Sequence, residues 1–268
     1  MNEPTESVVL CEGYHDRAFW AGWLLHLGCT DPGAGNGARG KLVDPWNKPV
    51  TRGHFGFRST SGRFVRLQPC HSREKVIRAA RIRLSQLATQ SLTRLVVCVD
   101  SDRVVAEVTG VRHPKRAKQY LVGPLDLTNA KPTADGDLVL SDGRTLVSLV
   151  CWEAPDPRSE EIPAKQTLER LICAALIECH AERGPWVRKW LDSRPEGPPA
   201  PPAAGPKEFA FSHMAGWYAE HGCEDFFRHF WRDEDIAKAL ERRLRDVVRG
   251  GWPRRWQNEV WLRRFGGR

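Results

Sequence analysis

The sequence predicts an α/β protein: a mostly parallel sheet flanked by helices, with a helical extension at its C-terminal end. Three observations predict it. Short apolar runs alternate with helix-length amphipathic segments in strand-helix-strand-helix-strand order. Two of those runs stop abruptly in carboxylates, the pattern of buried parallel strands whose carboxyl ends carry a ligand site. A stretch rich in proline, glycine and alanine at 195–206 then separates this part from a helical remainder.

Residues 7–11 are the first expected strand, an apolar run bounded by polar turn residues. A helix over 15–27 follows, with Phe19, Trp20, Trp23, Leu24 and Leu27 on a broad apolar face. Residues 28–40 contain several glycines and read as a loop. Gly33, Gly35 and Gly37 follow a helix instead of a strand, which argues against a dinucleotide-binding turn. A strand over 64–67 leads into a helix over 72–87, with Val76, Ile77, Ala80, Leu84 and Leu87 on one side. Arg73, Lys75, Arg78, Arg81 and Arg83 crowd the rest of that helix, either as a solvated face or as a basic rim able to hold a phosphate backbone. Residues 93–99 form the strand that delivers Asp100.

Beyond it, 120–127 reads as strand-like, 141–144 as a hairpin turn and 145–152 as a further strand. Residues 165–182 are strongly helical, with Leu168, Leu171, Ile172, Ala175, Leu176 and Cys179 at core spacing. Helices are expected over 209–218 and 236–248, joined through Phe226, Phe227, Phe230 and Trp231, a cluster that reads as packing. The expected organisation is a catalytic domain over 1–194, the linker 195–206 and a helical C-terminal region over 207–268.

Composition bounds the function. The 268 residues carry 41 Lys and Arg against 33 Asp and Glu, a formal charge of +8 that favours contact with a polyanion. The excess is concentrated near the end, where Arg254, Arg255, Arg263 and Arg264 interleave with Trp252, Trp256 and Trp261. Guanidinium groups bind phosphates and indoles stack on unpaired bases. The same tryptophans, four and five residues apart, also suit the apolar stripe of a docking helix, so a protein partner or homo-oligomer through this region stands beside nucleic acid. The eight cysteines include no Cys-x-x-Cys pair and behave as small apolar residues, which argues against a zinc module. No apolar stretch is long enough to cross a bilayer and residues 1–6 lack signal-peptide character, so no membrane association and a cytoplasmic protein are expected.

The acidic clusters carry the chemistry. The first is Glu12-Gly13-Tyr14-His15-Asp16, with Asp16 placed where a helix begins and able to turn back toward the strand end. The second is Asp100-Ser101-Asp102-Arg103. If the two strands are neighbours, Glu12, Asp16, Asp100 and Asp102 converge, and clustered carboxylates need a divalent cation to remain ionised. Taken singly, Glu-Gly is compatible with a turn and Asp-Ser-Asp with a helix cap.

Apolar-Glu-Gly-x-x-Asp followed by apolar-Asp-x-Asp resembles the Toprim domain shared by topoisomerases, bacterial primases, OLD-family nucleases and small stand-alone nuclease-like proteins. The resemblance implies a Mg²⁺- or Mn²⁺-dependent nuclease acting on DNA or RNA, with Glu12, Asp16, Asp100 and Asp102 as metal ligands. It makes Glu12, Asp100 and Asp102 the catalytic set, Glu12 serving alternatively as general acid or base. Gln166-Thr167-Leu168-Glu169 resembles the family's Gly-x-x-Glu element without its glycine, which implies a metal role for Glu169. Arg103 would hold the scissile phosphate or sit on a helix surface. A topoisomerase is disfavoured because that activity needs a separate domain with a nucleophilic tyrosine, and a primase because no zinc module precedes the core. Small Toprim proteins often act in nucleic-acid processing or antiviral defence. The alternative is a non-catalytic nucleic-acid-binding or adaptor subunit that supports a partner's chemistry.

Overall fold

The structure, a computed structural model, describes residues 6–30, 53–59, 63–87, 92–101, 121–134, 136–152, 166–193, 226–227 and 230–247. These fall into two compact units. The first draws on residues 6–99 and 121–150, the second on 100–101, 151–152 and 166–247.

The first unit is an α/β layer. Its strands are β1 (Glu6–Cys11), β2 (Phe55–Arg58), β3 (Phe64–Pro69), β4 (Leu92–Asp100), β5 (Lys131–Pro132), β6 (Leu138–Val139) and β7 (Leu146–Trp152), in the spatial order β2-β3-β1-β4-β7-β6-β5. β1 pairs in parallel with β3 on one side and with β4 on the other. The β2–β3, β5–β6 and β6–β7 pairs are antiparallel, so the sheet is parallel at its centre and mixed toward its edges. Val8, Val9 and Leu10 of β1 and Leu95–Val99 of β4 are fully buried, which is why these two strands read as continuous apolar runs.

Helix α1 (Tyr14–His26) follows β1 and packs on β2 and β3, while α2 (Arg73–Ser85) follows β3 and packs on β1. Phe19, Trp20, Trp23 and Leu24 of α1 are buried, and the Trp20 and Trp23 ring centroids lie 4.9 Å apart. Each such side chain contributes roughly 2–3 kcal/mol relative to exposure. Ser72 caps α2 by accepting from the Lys75 N–H at 3.3 Å.

Buried ion pairs lie within this layer. Glu6 on β1 binds Arg66 on β3, and its other oxygen lies 3.9 Å from Arg83 of α2. Arg94 on β4 binds Asp137 at 2.5 Å and Ser148 of β7 at 2.7 Å, and the Ser148 hydroxyl donates to Asp137 at 2.8 Å.

In the second unit, α3 (Leu168–Cys179) packs against α5 (Glu234–Val247), with α4 (Arg183–Asp192) between them in sequence. Leu171, Ile172, Ala175 and Leu176 of α3 are buried, as are Ile236, Leu240 and Leu244 of α5. Glu178 binds both Arg242 and Arg243 across this contact. Phe226, Phe227, Phe230 and Trp231 are all buried, as expected of packing residues.

Several expectations are corrected. Residues 121–127 form no strand. The Leu125 N–H donates to the Leu121 carbonyl at 3.0 Å, and Gly123-Pro124 breaks any ladder because proline has no N–H to give. The helix expected over 165–182 is shorter, because Thr167 caps it and His180 leaves helical backbone at φ −138° and ψ 64°. Helix α4 and strand β2 were not expected. Of the C-terminal helices, 236–248 corresponds to α5, and 209–218 lies outside the described residues. The described cysteines form no disulfide, and six of them are buried.

Candidate functional site

In the first unit the site begins where β1 ends. Gly13 is the N-cap of α1, and its N–H donates to Asp16 Oδ2 at 3.1 Å while its carbonyl accepts from the Arg17 N–H at 3.2 Å. This is half of a capping box, the half a glycine can make. A Cβ on residue 13 would sit 3.3 Å from that same Asp16 oxygen, so glycine is what lets the carboxylate lie against the backbone. Asp16 is only 6% exposed, and Glu12, at the turn itself, is half-buried. The Glu-Gly-x-x-Asp spacing therefore folds the second carboxylate back onto the strand end. Cys11 just before it is a packing residue: burial pushes its thiol up, with Asp16, Cys98 and Cys70 adding to the effect and Arg17 opposing it.

Five further side chains surround this turn, and the sequence pattern leaves all but Tyr14 unmarked. His71 follows β3, the neighbour of β1, and holds a left-handed φ of 74°, uncommon for a residue with a Cβ. Its ring meets Tyr14 edge to face, centroids 5.0 Å apart, and Tyr14 is 50% exposed. Arg17 donates to the Gly53 carbonyl at 2.7 Å, and its guanidinium lies 3.8 Å from the Phe55 ring centroid and 4.8 Å from that of Tyr14. His54, between Gly53 and Phe55, is lowered from 6.5 to about 4, first by burial and then by Arg66, Arg83 and Arg17, so its imidazole is neutral near pH 7. The one readable signal was Tyr14, which lies inside the acidic motif.

In the second unit, Asp100 ends β4, and its Oδ1 accepts from the backbone N–H of Leu168, the first residue of α3, at 3.0 Å. Thr167, the N-cap, accepts from the Arg170 N–H at 3.3 Å. Together they satisfy two of the donors a helix start leaves unbonded, and the carboxylate complements the positive end of the helix dipole. Glu169 is 7% exposed in this first turn, next to Arg170, which is fully buried. Sequence reasoning missed Arg170, because a lone arginine in an apolar helix start carries no motif.

Asp102, Arg103, Arg254, Arg255, Arg263 and Arg264 lie outside the described residues. Among the described residues, no group of three or more His, Cys, Asp and Glu side chains is gathered so as to hold a metal ion. In kind, carboxylates suit a hard divalent cation, and each unit holds two of the candidates: Glu12 and Asp16 in the first, with a backbone N–H on one Asp16 oxygen, and Asp100 and Glu169 in the second, with a backbone N–H on one Asp100 oxygen.

The chain matches no known family model and none of the curated proteins. Its fold is similar to the crystal structure of a hypothetical protein from Pyrococcus horikoshii, with a TM-score of 0.62 at 13% identity over 96% of this chain and 99% of that one. At that identity the likeness concerns the fold alone.

Proposed function

We propose that this chain is a divalent-metal-dependent nuclease of Toprim type, cleaving phosphodiester bonds in DNA or RNA. One observation supports the reading above the others. The strands that lead to Glu12 and to Asp100 are hydrogen-bonded parallel neighbours, in register from Ser7↔Arg94 to Leu10↔Val97. The chain goes from β1 to β3 on one side, then crosses to β4 on the other, so the strand order reverses at the β1–β4 pair. Ligands of open α/β sheets bind beyond the strand carboxyl ends at such a reversal.

In this reading Glu12, Asp16, Asp100 and Asp102 hold the cation, with Glu169 as a further carboxylate. A bound divalent cation supplies charge neutralisation on the phosphate and activation of the attacking water. Alternatively to a ligand role, Glu12, half-buried on the turn, takes a proton from that water. Gly13 and Leu168 fix the carboxylates of Asp16 and Asp100 before substrate arrives, so less reorganisation is needed at the moment of reaction.

Glu12→Gln tests the reading. It keeps size and hydrogen-bonding capacity but removes the charge, so cleavage in Mg²⁺ or Mn²⁺ should vanish while binding without metal persists. Undiminished cleavage by the variant would overturn the assignment.

A second reading, a nucleic-acid-binding adaptor subunit, is favoured by the capping bonds of Asp16 and Asp100, which give both carboxylates a structural use without metal. Its signature is a wild type that cleaves no substrate and a Glu12→Gln variant that supports a partner's activity equally well.

A further inference from the structure

β1 and β3 run parallel and end together, with Cys11 opposite Pro69. One further bond ties the two ends, from the Cys70 N–H to the Cys11 carbonyl at 2.8 Å. The next residues along the two strands are Glu12 and His71, which therefore leave neighbouring strand ends on one edge of the sheet. His71 is exposed and keeps its left-handed φ of 74° despite carrying a Cβ. Among the described residues neither of its ring nitrogens has a hydrogen-bond partner. Its ring stands against that of Tyr14, the planes 75° apart, and Tyr14 in turn lies under the Arg17 guanidinium, which is anchored on the Gly53 carbonyl. A histidine kept for packing is buried with a nitrogen bonded. This one is exposed, held in a strained backbone against an aromatic neighbour, and left with both nitrogens available for chemistry.

Hydrolysis of a phosphodiester needs two proton transfers, one away from the attacking water and one onto the departing oxygen, whose alkoxide is a poor leaving group. Glu12 serves the first. Carboxylates that hold a cation have no proton to give, so the second needs a different group, and imidazole is the side chain able to donate near neutral pH. We propose that His71 is the general acid of the reaction, giving its proton to the oxygen that departs from phosphorus; the inference rests on the nuclease reading above. As the water oxygen bonds to phosphorus, the water's proton passes to Glu12. The bond from phosphorus to the leaving oxygen breaks with its electron pair on that oxygen, which takes the proton of the imidazolium. Neutral imidazole remains, and exchange with solvent restores both groups.

The test uses the full chain in Mn²⁺ with an all-oxygen oligonucleotide and with versions carrying sulfur in place of the 3′- or the 5′-bridging oxygens. A thiolate departs without needing a proton, because thiols are far more acidic than alcohols. His71→Asn, which accepts the left-handed backbone, should slow cleavage of the oxygen substrate roughly 100-fold or more and leave the sulfur-leaving substrate near the wild-type rate. His71→Gly also accepts that backbone, and added imidazole should restore its cleavage of the oxygen substrate. Equal slowing on both substrates would make His71 a purely structural residue and overturns the proposal, as does a glycine variant that imidazole fails to restore. If Glu12→Gln abolishes cleavage while His71→Asn leaves it intact, the acid assignment alone falls. A wild type that cleaves neither substrate overturns the acid assignment and the nuclease reading together.

Discussion

Asp100 and Leu168 are 68 residues apart in sequence, yet the carboxylate of the first accepts a hydrogen bond from the backbone N–H of the second at 3.0 Å. The end of β4 therefore caps the start of α3. Asp100→Ala should cost about 1 kcal/mol in urea unfolding, the usual worth of a lost cap, whereas Asp100→Asn keeps an acceptor and should cost less. Addition of Mg²⁺ or Mn²⁺ should raise the wild-type melting temperature, and both Asp100 variants should lose that increment in scans run with and without the ion. A full metal response in Asp100→Asn would remove Asp100 from the metal site.

The turn between β1 and α1 makes a different demand. Gly13 has an ordinary extended backbone, φ −132° and ψ 177°, so Gly13→Ala meets no backbone obstacle. The new Cβ would press on Asp16 Oδ2 at 3.3 Å. The expected outcome is a small stability change, about 0.5–1 kcal/mol, with a much larger loss of metal response as the carboxylate is pushed aside. Calorimetric titration with Mn²⁺ on both proteins measures it.

His71 separates strain from side-chain chemistry. Its φ of 74° is readily adopted by glycine and asparagine and poorly by a β-branched residue. His71→Asn should remain within about 1 kcal/mol of wild type, and His71→Val should lose more than that in urea melts. If the imidazole beside Tyr14 also touches substrate, His71→Asn loses cleavage while keeping its fold.

His54 sets a pH dependence. Its pKa falls from the ordinary 6.5 to about 4 in the folded protein, so between those values the unfolded chain binds more protons. Stability should therefore be complete above pH 6.5 and decline as pH falls toward 4. Asp142 and Glu178, whose partners hold their carboxyls below the usual range, act lower still. His54→Gln should flatten the profile between pH 7 and pH 5 in urea melts. An identical slope in the variant would show that other groups carry the dependence.

What could be read from the sequence follows from which interactions are local. β1 and β4 announce themselves because strands buried on both faces need unbroken apolar side chains. The Gly13–Asp16 cap was legible as a spacing, because its donor and acceptor are three residues apart. β2 was not, since it is four residues long and contains Gly56, whose reason lies elsewhere: a Cβ there would come within 2.6 Å of the Phe64 ring on β3. Helix α4 was obscured by Gly184 and Pro185 in its first turn, where proline is in fact tolerated. The bond from Asp100 to Leu168, the left-handed backbone of His71 and the burial of Arg170 depend on tertiary neighbours, and no local pattern encodes them.

The two borders of the sheet are closed in different ways. At β2, Thr30 both donates to and accepts from Arg58 at 2.8 Å, filling the outer hydrogen-bonding positions of that residue. At the far side, β5 is only Lys131–Pro132, a charged residue followed by one with no N–H to offer. Among the described residues, neither rim presents a long row of unmet backbone groups to a second sheet. Growth into strand-paired ribbons is thereby discouraged, among the described residues, at both ends of the sheet.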